Sequence, residues 1–167
     1  MLLRQRSGEV AAMRWQDIQD NWWTLPGSAD ATWPGTKNKQ THRIWLPEPA
    51  QSILALLGKE ESGYVFGGNT PPRLTVVMRG IVSQLGYPAG SVRPHDLRRA
   101  HASTITALGF GLDAMNRVLN HKEGGISSVY DRHHYSAENK RVMEAVASHL
   151  LALATGQRAA SNVIRLS

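Results

Sequence analysis

The stretch of sequence that says most about this chain is Val92-Arg93-Pro94-His95-Asp96-Leu97-Arg98-Arg99. A helical pattern begins there, extends from about Asp96 to Leu108 and is stopped by Gly109. His95 and Arg98 stand three positions apart, so we expect both side chains on one face of the helix start. A helix N-terminus carries positive potential and a guanidinium holds two phosphate oxygens at once, so the pair predicts a phosphate site. Taken alone, it would also fit two surface residues.

The composition is that of one folded domain with an excess of positive charge. The chain has 167 residues, 41% of them hydrophobic, a formal net charge of +6 and a pI near 10.1. Arginine supplies the excess, with 14 Arg against 5 Lys, which fits either a polyanionic partner or a merely basic surface. Cysteine is absent, which excludes disulfides and cysteine-ligated zinc. No apolar run approaches the ~20 residues that span a bilayer, so we expect no membrane partner.

The spacing of hydrophobic residues differs between the part of the chain before Pro47 and the part after it. The first part predicts a helix end with a break at Ser7-Gly8, and then three short strands. These strands are Trp15 to Ile18, Trp22 to Leu25 and Arg43 to Leu46. Asp20-Asn21 supplies a turn between the first two, and a polar, lysine-bearing loop precedes the third. After Pro47, helical spacing predicts helices near residues 53–57, 74–85, 96–108, 113–119, 126–130 and 137–154. The predicted class is therefore α+β, mainly helical, with a small antiparallel three-stranded sheet.

Further candidates for phosphate chemistry lie upstream of this helix. Arg6 stands three residues before Glu9, either as a surface arginine paired with that carboxylate or as a second phosphate clamp that Glu9 orients. Lys37 lies in the predicted loop, where it is either a solvated lysine or a general acid for a leaving alkoxide. Lys39 competes with it for that role.

The C-terminal part adds an imidazole and a phenol. His121 follows a predicted helix end, where it either caps the helix or donates a hydrogen bond to a phosphate. Tyr130, nine residues later, is either a half-buried aromatic or a nucleophile, with Tyr135 as its rival. A metal site at His133-His134 is not expected, because adjacent side chains on a helix diverge and no carboxylate stands at a ligand spacing.

In this order the residues resemble the catalytic domain of the tyrosine recombinase family, the phage-integrase type. The family pattern is Thr-Gly-x-Arg-x-x-Glu, a hairpin lysine, His-x-x-Arg, Gly-His and then a tyrosine. Here it corresponds to Leu3-Arg4-Gln5-Arg6-Ser7-Gly8-Glu9, Lys37, His95-Asp96-Leu97-Arg98, Asn120-His121 and Tyr130. The chain departs from the pattern at Leu3, at Arg4, which replaces glycine, and at Asn120, which also replaces glycine. The resemblance covers residues 1–154 and leaves a tail at 155–167.

The resemblance implies site-specific DNA recombination or integration, in which a strand is cleaved and rejoined through a 3′-phosphotyrosyl intermediate. It implies six catalytic residues: Arg6, Arg98 and His121 around the phosphate, Lys37 at the 5′-oxygen, His95 for proton transfer and Tyr130 as nucleophile. Glu9 would support Arg6, and Lys39, Arg99 and Arg132 would contact DNA. No metal and no cofactor are implied, since fixed cations neutralise the phosphate.

The resemblance also implies the setting of the reaction. The partner is double-stranded DNA, bound by a homo-oligomer that forms a tetramer on it. The protein would act in the prokaryotic cytoplasm, associated with the nucleoid, and derive from a phage or another mobile genetic element. Asn162 to Leu166 is either a strand exchanged between protomers or a frayed terminus.

Three interpretations of the chain remain at this point. The family's catalytic domain begins with a helix upstream of Met1 and follows a core-binding domain, so we expect a truncated domain. It is either a recombinase domain or a non-catalytic DNA-binding remnant of a mobile-element integrase. A type IB topoisomerase uses similar chemistry, but the close spacing of His121 and Tyr130 argues against it.

Overall fold

The computed structural model describes residues 3, 5–58, 60–68, 71–121 and 135–157. The helices within these ranges are α1 (Ser7–Ala11), α2 (Glu48–Leu57), α3 (Pro71–Gln84), α4 (Pro94–Ala107), α5 (Leu112–Leu119) and α6 (Tyr135–Ala154). The strands are β1 (Ile18–Gln19), β2 (Trp22–Leu25) and β3 (His42–Trp45). The predicted class, mainly helical with a small three-stranded antiparallel sheet, is confirmed. Among the described helices, none is both long enough and apolar enough to cross a membrane.

The sheet has the order β1-β2-β3, and both neighbouring pairs are antiparallel. Asp20 and Asn21 join β1 to β2 with φ angles of 50° and 61°, a left-handed conformation that short polar side chains tolerate. The predicted first strand was wrong over its first three residues, because Trp15–Asp17 forms a 3₁₀ turn. The Trp15 N–H donates to the carbonyl of Gly63 at 3.0 Å, and the Trp15 side chain is buried.

The core lies between the sheet and the C-terminal helix. Trp23 and Leu25 of β2 and Ile44 of β3 are almost completely buried. Helix α6 contacts β3, α4 and α5, and its Val142 and Val146 are fully buried. Burial of side chains of this size stabilises the fold by about 1.5–3 kcal/mol each. The sheet and the helices that carry the candidate residues therefore share one core.

A buried arginine holds the long connection between β2 and β3, residues 26–41, against the segment before β1. Arg14 donates to both carboxylate oxygens of Asp17, at 2.6 and 3.1 Å, and to both of Asp30, at 2.9 and 2.7 Å. Its guanidinium carbon lies 5.8 Å from the ring centroid of Trp33. The hydrogen bond from Arg14 holds the pKa of Asp30 well below its usual range. The start of the connection is thus fixed at a defined place beside the sheet.

Two predicted helix boundaries were wrong for local reasons. Ser7 and Gly8 do not break the chain but begin α1, because the Glu9 carboxylate accepts the backbone N–H of Arg6 at 3.0 Å and caps the helix start. The helix predicted near residues 74–85 starts earlier, because Pro71 and Pro72 are the first residues of α3. Proline fits there because the first N–H groups of a helix have no partner within it.

Three predicted helix ends are confirmed by glycines with positive φ. Gly58 follows α2 at 77°, Gly86 follows α3 at 80°, and Gly109 follows α4 at 84°. The apolar residues that predicted these helices are not all buried. Ile81 of α3 and Leu153 of α6 are 51% and 61% exposed. The helix predicted near residues 126–130 and the tail strand at 162–166 lie outside the described residues.

We expect Gly27→Ala to destabilise the fold by about 1–3 kcal/mol. An added Cβ would stand 2.4 Å from the carbonyl oxygen of Lys39 and 2.8 Å from its carbon, so the backbone of the connection must shift. Gly80→Ala is the matched control, because a Cβ there meets nothing within 4 Å. In helix α3 that control should stabilise by up to about 1 kcal/mol. Urea unfolding of both variants measures the difference, and equal stabilities would contradict the close approach.

Candidate active site

The last turn of α5 is the point at which separate segments of the chain meet. An α-helix leaves its last four carbonyls without partners in the helix. Two of these carbonyls accept the backbone N–H groups of Asn120 and His121, at 3.1 and 3.0 Å. The other two, on Val118 and Leu119, accept side chains from elsewhere in the chain. This turn therefore holds together the residues described below.

Arg98 is a buried arginine bound to this turn. It lies in α4 with 8% of its surface exposed, and its Nη2 donates to the carbonyl of Leu119 at 2.6 Å. Burial, and then the nearby charge of Arg6, lower the pKa of Arg98 to about 10, and the charge of Glu9 opposes both effects. The guanidinium stays charged at neutral pH, and the partial negative charge of the helix C-terminus stabilises it.

Arg6 places a second guanidinium near that of Arg98. Its Nη1 donates to Glu9 Oε1 at 3.0 Å, while a third of its side-chain surface stays exposed. Arg6 pairs with Glu9, which both interpretations expect, and it lies close enough to depress the pKa of Arg98. Glu9 is itself buried, so its carboxylate is a fixed support for Arg6.

His42 belongs to this group and was missed in the sequence. It lies at the start of β3, and its Nε2 is 3.3 Å from the carbonyl oxygen of Val118. Because a carbonyl only accepts, Nε2 must carry the proton. Burial, and then the charges of Arg98 and Arg6, lower the pKa of His42 to about 4. The available signal was strand alternation, since His42 stands two residues before the buried Ile44 and shares its face.

Gln5 is a second residue that the sequence did not single out. It is buried, and its Nε2 donates to the same Val118 carbonyl at 3.5 Å. Gln5 immediately precedes Arg6, so this bond ties the backbone before α1 to the end of α5. Its only signal in the sequence was its place beside a candidate residue.

The lysine-bearing loop is well ordered by its own polar groups. Lys37 and Lys39 are both exposed, and Lys39 has a φ of 59°. The N–H of Lys39 donates to the carbonyl of Thr36 at 3.0 Å, and the hydroxyl of Thr36 donates to the carbonyl of Gln40 at 2.8 Å. This geometry leaves both ammonium groups accessible and does not show which of the two lysines would be the general acid.

A pair of asparagine amides joins this loop to the end of α5. Asn38 Nδ2 donates to Asn120 Oδ1 at 2.6 Å, and Asn120 Nδ2 lies 3.4 Å from Asn38 Oδ1. His121 follows directly and is exposed. One partner of the amide pair, Asn38, therefore stands between Lys37 and Lys39, and the other, Asn120, directly precedes His121.

His95 and Arg98 differ in their surroundings although they begin the same helix. His95 is exposed, whereas Arg98 is buried against α5. Arg99 is exposed and lies 3.7 Å from a carboxylate oxygen of Asp96. His101, in the same helix, is completely buried.

Two of the predicted site residues, Tyr130 and Arg132, lie outside the described residues. The rival tyrosine, Tyr135, is the first residue of α6. The guanidinium carbon of Arg117 lies 4.1 Å from the centroid of its ring, and Arg117 also donates to Glu138 at 2.6 Å. Within the part of the chain that the structure describes, no cluster of three His, Cys, Asp or Glu side chains could hold a metal ion.

An apolar cavity of about 500 Å³ has Arg98 among its lining residues. Its walls come from the segment around α1, from α2 and α3, and from the start of α4. Most of its lining is apolar, with side chains such as Val10, Leu54, Leu74 and Met78, and Arg98 is one of its few polar lining residues. Because few of the lining groups can donate hydrogen bonds, the cavity suits an apolar group better than a phosphate.

Comparison with known proteins assigns the chain to a family. The model of the phage integrase family matches residues 3–137, which is most of the chain. The chain belongs to the phage integrase family. No curated protein and no solved structure matches the chain significantly. Proteins of this family bind DNA, and the family indicates site-specific recombination in general.

The structure explains one departure of this integrase from the family pattern. Asn120 replaces the glycine that usually precedes the histidine, and it has φ 52° and ψ 41°, the left-handed conformation. Glycine adopts this conformation without strain, and asparagine is among the few other residues that visit it routinely. The turn before His121 is thus preserved. The other glycine replacement, at Arg4, lies outside the described residues.

We expect the integrase chain to lose stability as the pH falls from 6.5 to 4, in part through His42. The folded state keeps His42 neutral down to about pH 4, whereas an unfolded histidine takes up its proton near pH 6.5. The unfolded state therefore binds more protons in this window, which costs the fold up to about 3 kcal/mol.

His42→Gln tests this, because glutamine can still donate to the carbonyl of Val118 but does not titrate. Urea unfolding at pH 7 and pH 5 should show a smaller loss of stability for the variant than for the wild type. An equal loss in both proteins would contradict a buried neutral His42.

Proposed function

We propose that this chain cleaves and rejoins double-stranded DNA through a covalent 3′-phosphotyrosyl intermediate, with Tyr130 as the nucleophile. The observation that carries the proposal is the convergence at the end of α5. Arg98 and His42 bind its carbonyls, and Arg6 lies close enough to Arg98 to lower its pKa. Asn38, which has a lysine on each side of it in the sequence, is hydrogen-bonded to Asn120. Such a group of cations suits a phosphodiester better than any neutral substrate.

The electrostatics of the two arginines support a phosphate between them. Like charges repel, and the Arg6 charge lowers the pKa of Arg98, so the pair is incompletely neutralised by Glu9. An anionic phosphodiester would relieve that repulsion. The pentacoordinate transition state carries more negative charge than the substrate, so fixed guanidinium groups stabilise it further. We assign this stabilisation to Arg6, Arg98 and His121.

The proposed reaction conserves all atoms and charges without an added reactant. The phenol oxygen of Tyr130 attacks the phosphorus, forming the tyrosyl phosphate bond as the bond to the 5′-oxygen breaks. His95 accepts the phenol proton, and Lys37 gives a proton to the leaving 5′-oxygen. Rejoining runs the steps in reverse with the hydroxyl of a partner strand. Phosphodiester bond energy is thereby retained in the covalent intermediate.

The remaining assignments extend the same proposal. Glu9 positions Arg6, and Lys39, Arg99 and Arg132 contact the DNA backbone. Residues 1–154 form the catalytic domain, residues 155–167 form a tail that contacts a neighbouring protomer, and four copies assemble on DNA. The family supports a nucleoid-associated, cytoplasmic location and an origin in a phage or another mobile element.

We expect the chain to become covalently attached to a nicked DNA duplex that carries its target site. Strand cleavage beside the nick lets a short fragment diffuse away, so the adduct accumulates and is seen as a band that survives denaturation. Tyr130→Phe should abolish the adduct because it removes the attacking oxygen. Tyr135→Phe is the matched control and should retain the adduct, since we place that tyrosine outside the reaction.

Mapping the adduct peptide by mass spectrometry decides the assignment. An adduct on Tyr135, or one that persists in Tyr130→Phe, would refute the proposed nucleophile. DNA binding without any adduct would instead identify a chain that holds DNA but does not cleave it.

We expect Lys37→Ala to slow cleavage by about 10²- to 10⁴-fold, the range for loss of a general acid. A substrate with sulfur in place of the 5′-bridging oxygen separates this role from binding, because a thiolate leaves without being protonated. Lys37→Ala should cleave that substrate at the wild-type rate. Lys39→Ala is the control: as a backbone contact it should weaken DNA binding, but at saturating DNA it should cleave both substrates at close to the wild-type rate. If instead Lys39→Ala slowed cleavage of the all-oxygen substrate but not of the sulfur substrate, and Lys37→Ala slowed neither, the general acid would be Lys39.

A further inference from the structure

We propose that the Asn38–Asn120 amide pair is a positioning element that holds the lysine loop against the segment that carries His121. The two residues are 82 positions apart, and Asn38 Nδ2 donates to Asn120 Oδ1 at 2.6 Å. Asn38 Nδ2 also lies 3.5 Å from the backbone carbonyl oxygen of Asn120. The consequence for catalysis rests on the proposed function, but the mechanical link does not.

The Asn38 side chain uses its two ends for different purposes. Its Oδ1 accepts the backbone N–H of Gln40 at 3.2 Å and lies 3.1 Å from the hydroxyl of Thr36, so it shapes its own loop. Its Nδ2 reaches across to Asn120. The other hydrogen bonds described for residues 36–40 stay within the β2–β3 connection. The amide pair is thus the hydrogen-bonded tie between this loop and the helices.

The far side of the tie is rigid. Asn120 has a left-handed backbone whose N–H donates to the carbonyl of Arg117 at 3.1 Å, and the next N–H, of His121, donates to Asn116 at 3.0 Å. The preceding residue, Leu119, accepts Arg98. A loop bonded to Asn120 is therefore held in a fixed relation to the buried arginine.

The position of the pair defines what it would do in the reaction. Lys37 and Lys39 flank Asn38, and both have long, exposed side chains whose reach depends on where the loop backbone lies. Displacement of a catalytic group by about 1 Å can cost on the order of 100-fold in rate. The amide pair therefore controls protonation of the leaving group, while neither asparagine touches the substrate in this role.

Asn120→Gly is the decisive variant, because glycine keeps the left-handed backbone and removes only the amide. It also leaves Asn38 free to keep its bonds to Gln40 and Thr36. Asn21→Gly is the matched control: it makes the same substitution at another left-handed position, φ 61°, in the β1–β2 turn. Asn38→Ala removes the partner side chain and tests the same tie from the loop.

We expect Asn120→Gly and Asn38→Ala to slow cleavage of an all-oxygen DNA substrate by about 10- to 100-fold, and Asn21→Gly to have no effect. On the substrate with a 5′-bridging sulfur, all three variants should match the wild type. Equal slowing on both substrates, or no slowing in Asn120→Gly, would overturn the role in protonation.

Hydrogen exchange of the loop amides tests the tie without catalysis. The N–H groups of Lys39 and Gln40, which are bonded within the loop, should exchange faster in Asn120→Gly than in Asn21→Gly or the wild type. Unchanged exchange would overturn the proposal. If the wild-type chain forms no adduct while exchange still rises in Asn120→Gly, the proposed reaction fails and the amide pair stands.

Discussion

The last four carbonyls of α5 are the constraint on which the site depends. A helix cannot satisfy its last four carbonyls by itself, and in this chain the partners come from the backbone after the helix, the segment before α1, β3 and α4. Each bond is worth only about 1 kcal/mol, but an unpaired buried carbonyl costs more than that. The need to pair these groups thus draws the candidate residues into one place.

Much of this site could be predicted from the sequence, because its spacing is local. Arg6 and Glu9 stand one helical turn apart, and their contact follows from that spacing once α1 forms. The proximity of Arg98 to Arg6 could be inferred only from the order of motifs in the family, since 92 positions separate them. His42 and Gln5 carried no motif, and their roles appear only when the end of α5 is in place.

The fold was predictable to a similar depth. Hydrophobic spacing and glycine positions predicted the described helices after Pro47, because each depends on neighbouring residues alone. The errors fell where a distant or side-chain contact decides the backbone, such as the bond from Trp15 to Gly63 and the cap that Glu9 gives to α1. Burial was the least predictable property, and Ile81 shows why: an apolar face indicates a helix but not what covers it.

The pairing of two asparagines across the site has a consequence for the evolution of this family. With glycine at position 120 the backbone turn survives, but Asn38 has no side chain to bind. Selection for an amide at position 38 should therefore depend on which residue occupies position 120. We expect positions 38 and 120 to covary among close relatives of this chain. Conservation measured at either position alone would not reveal their function.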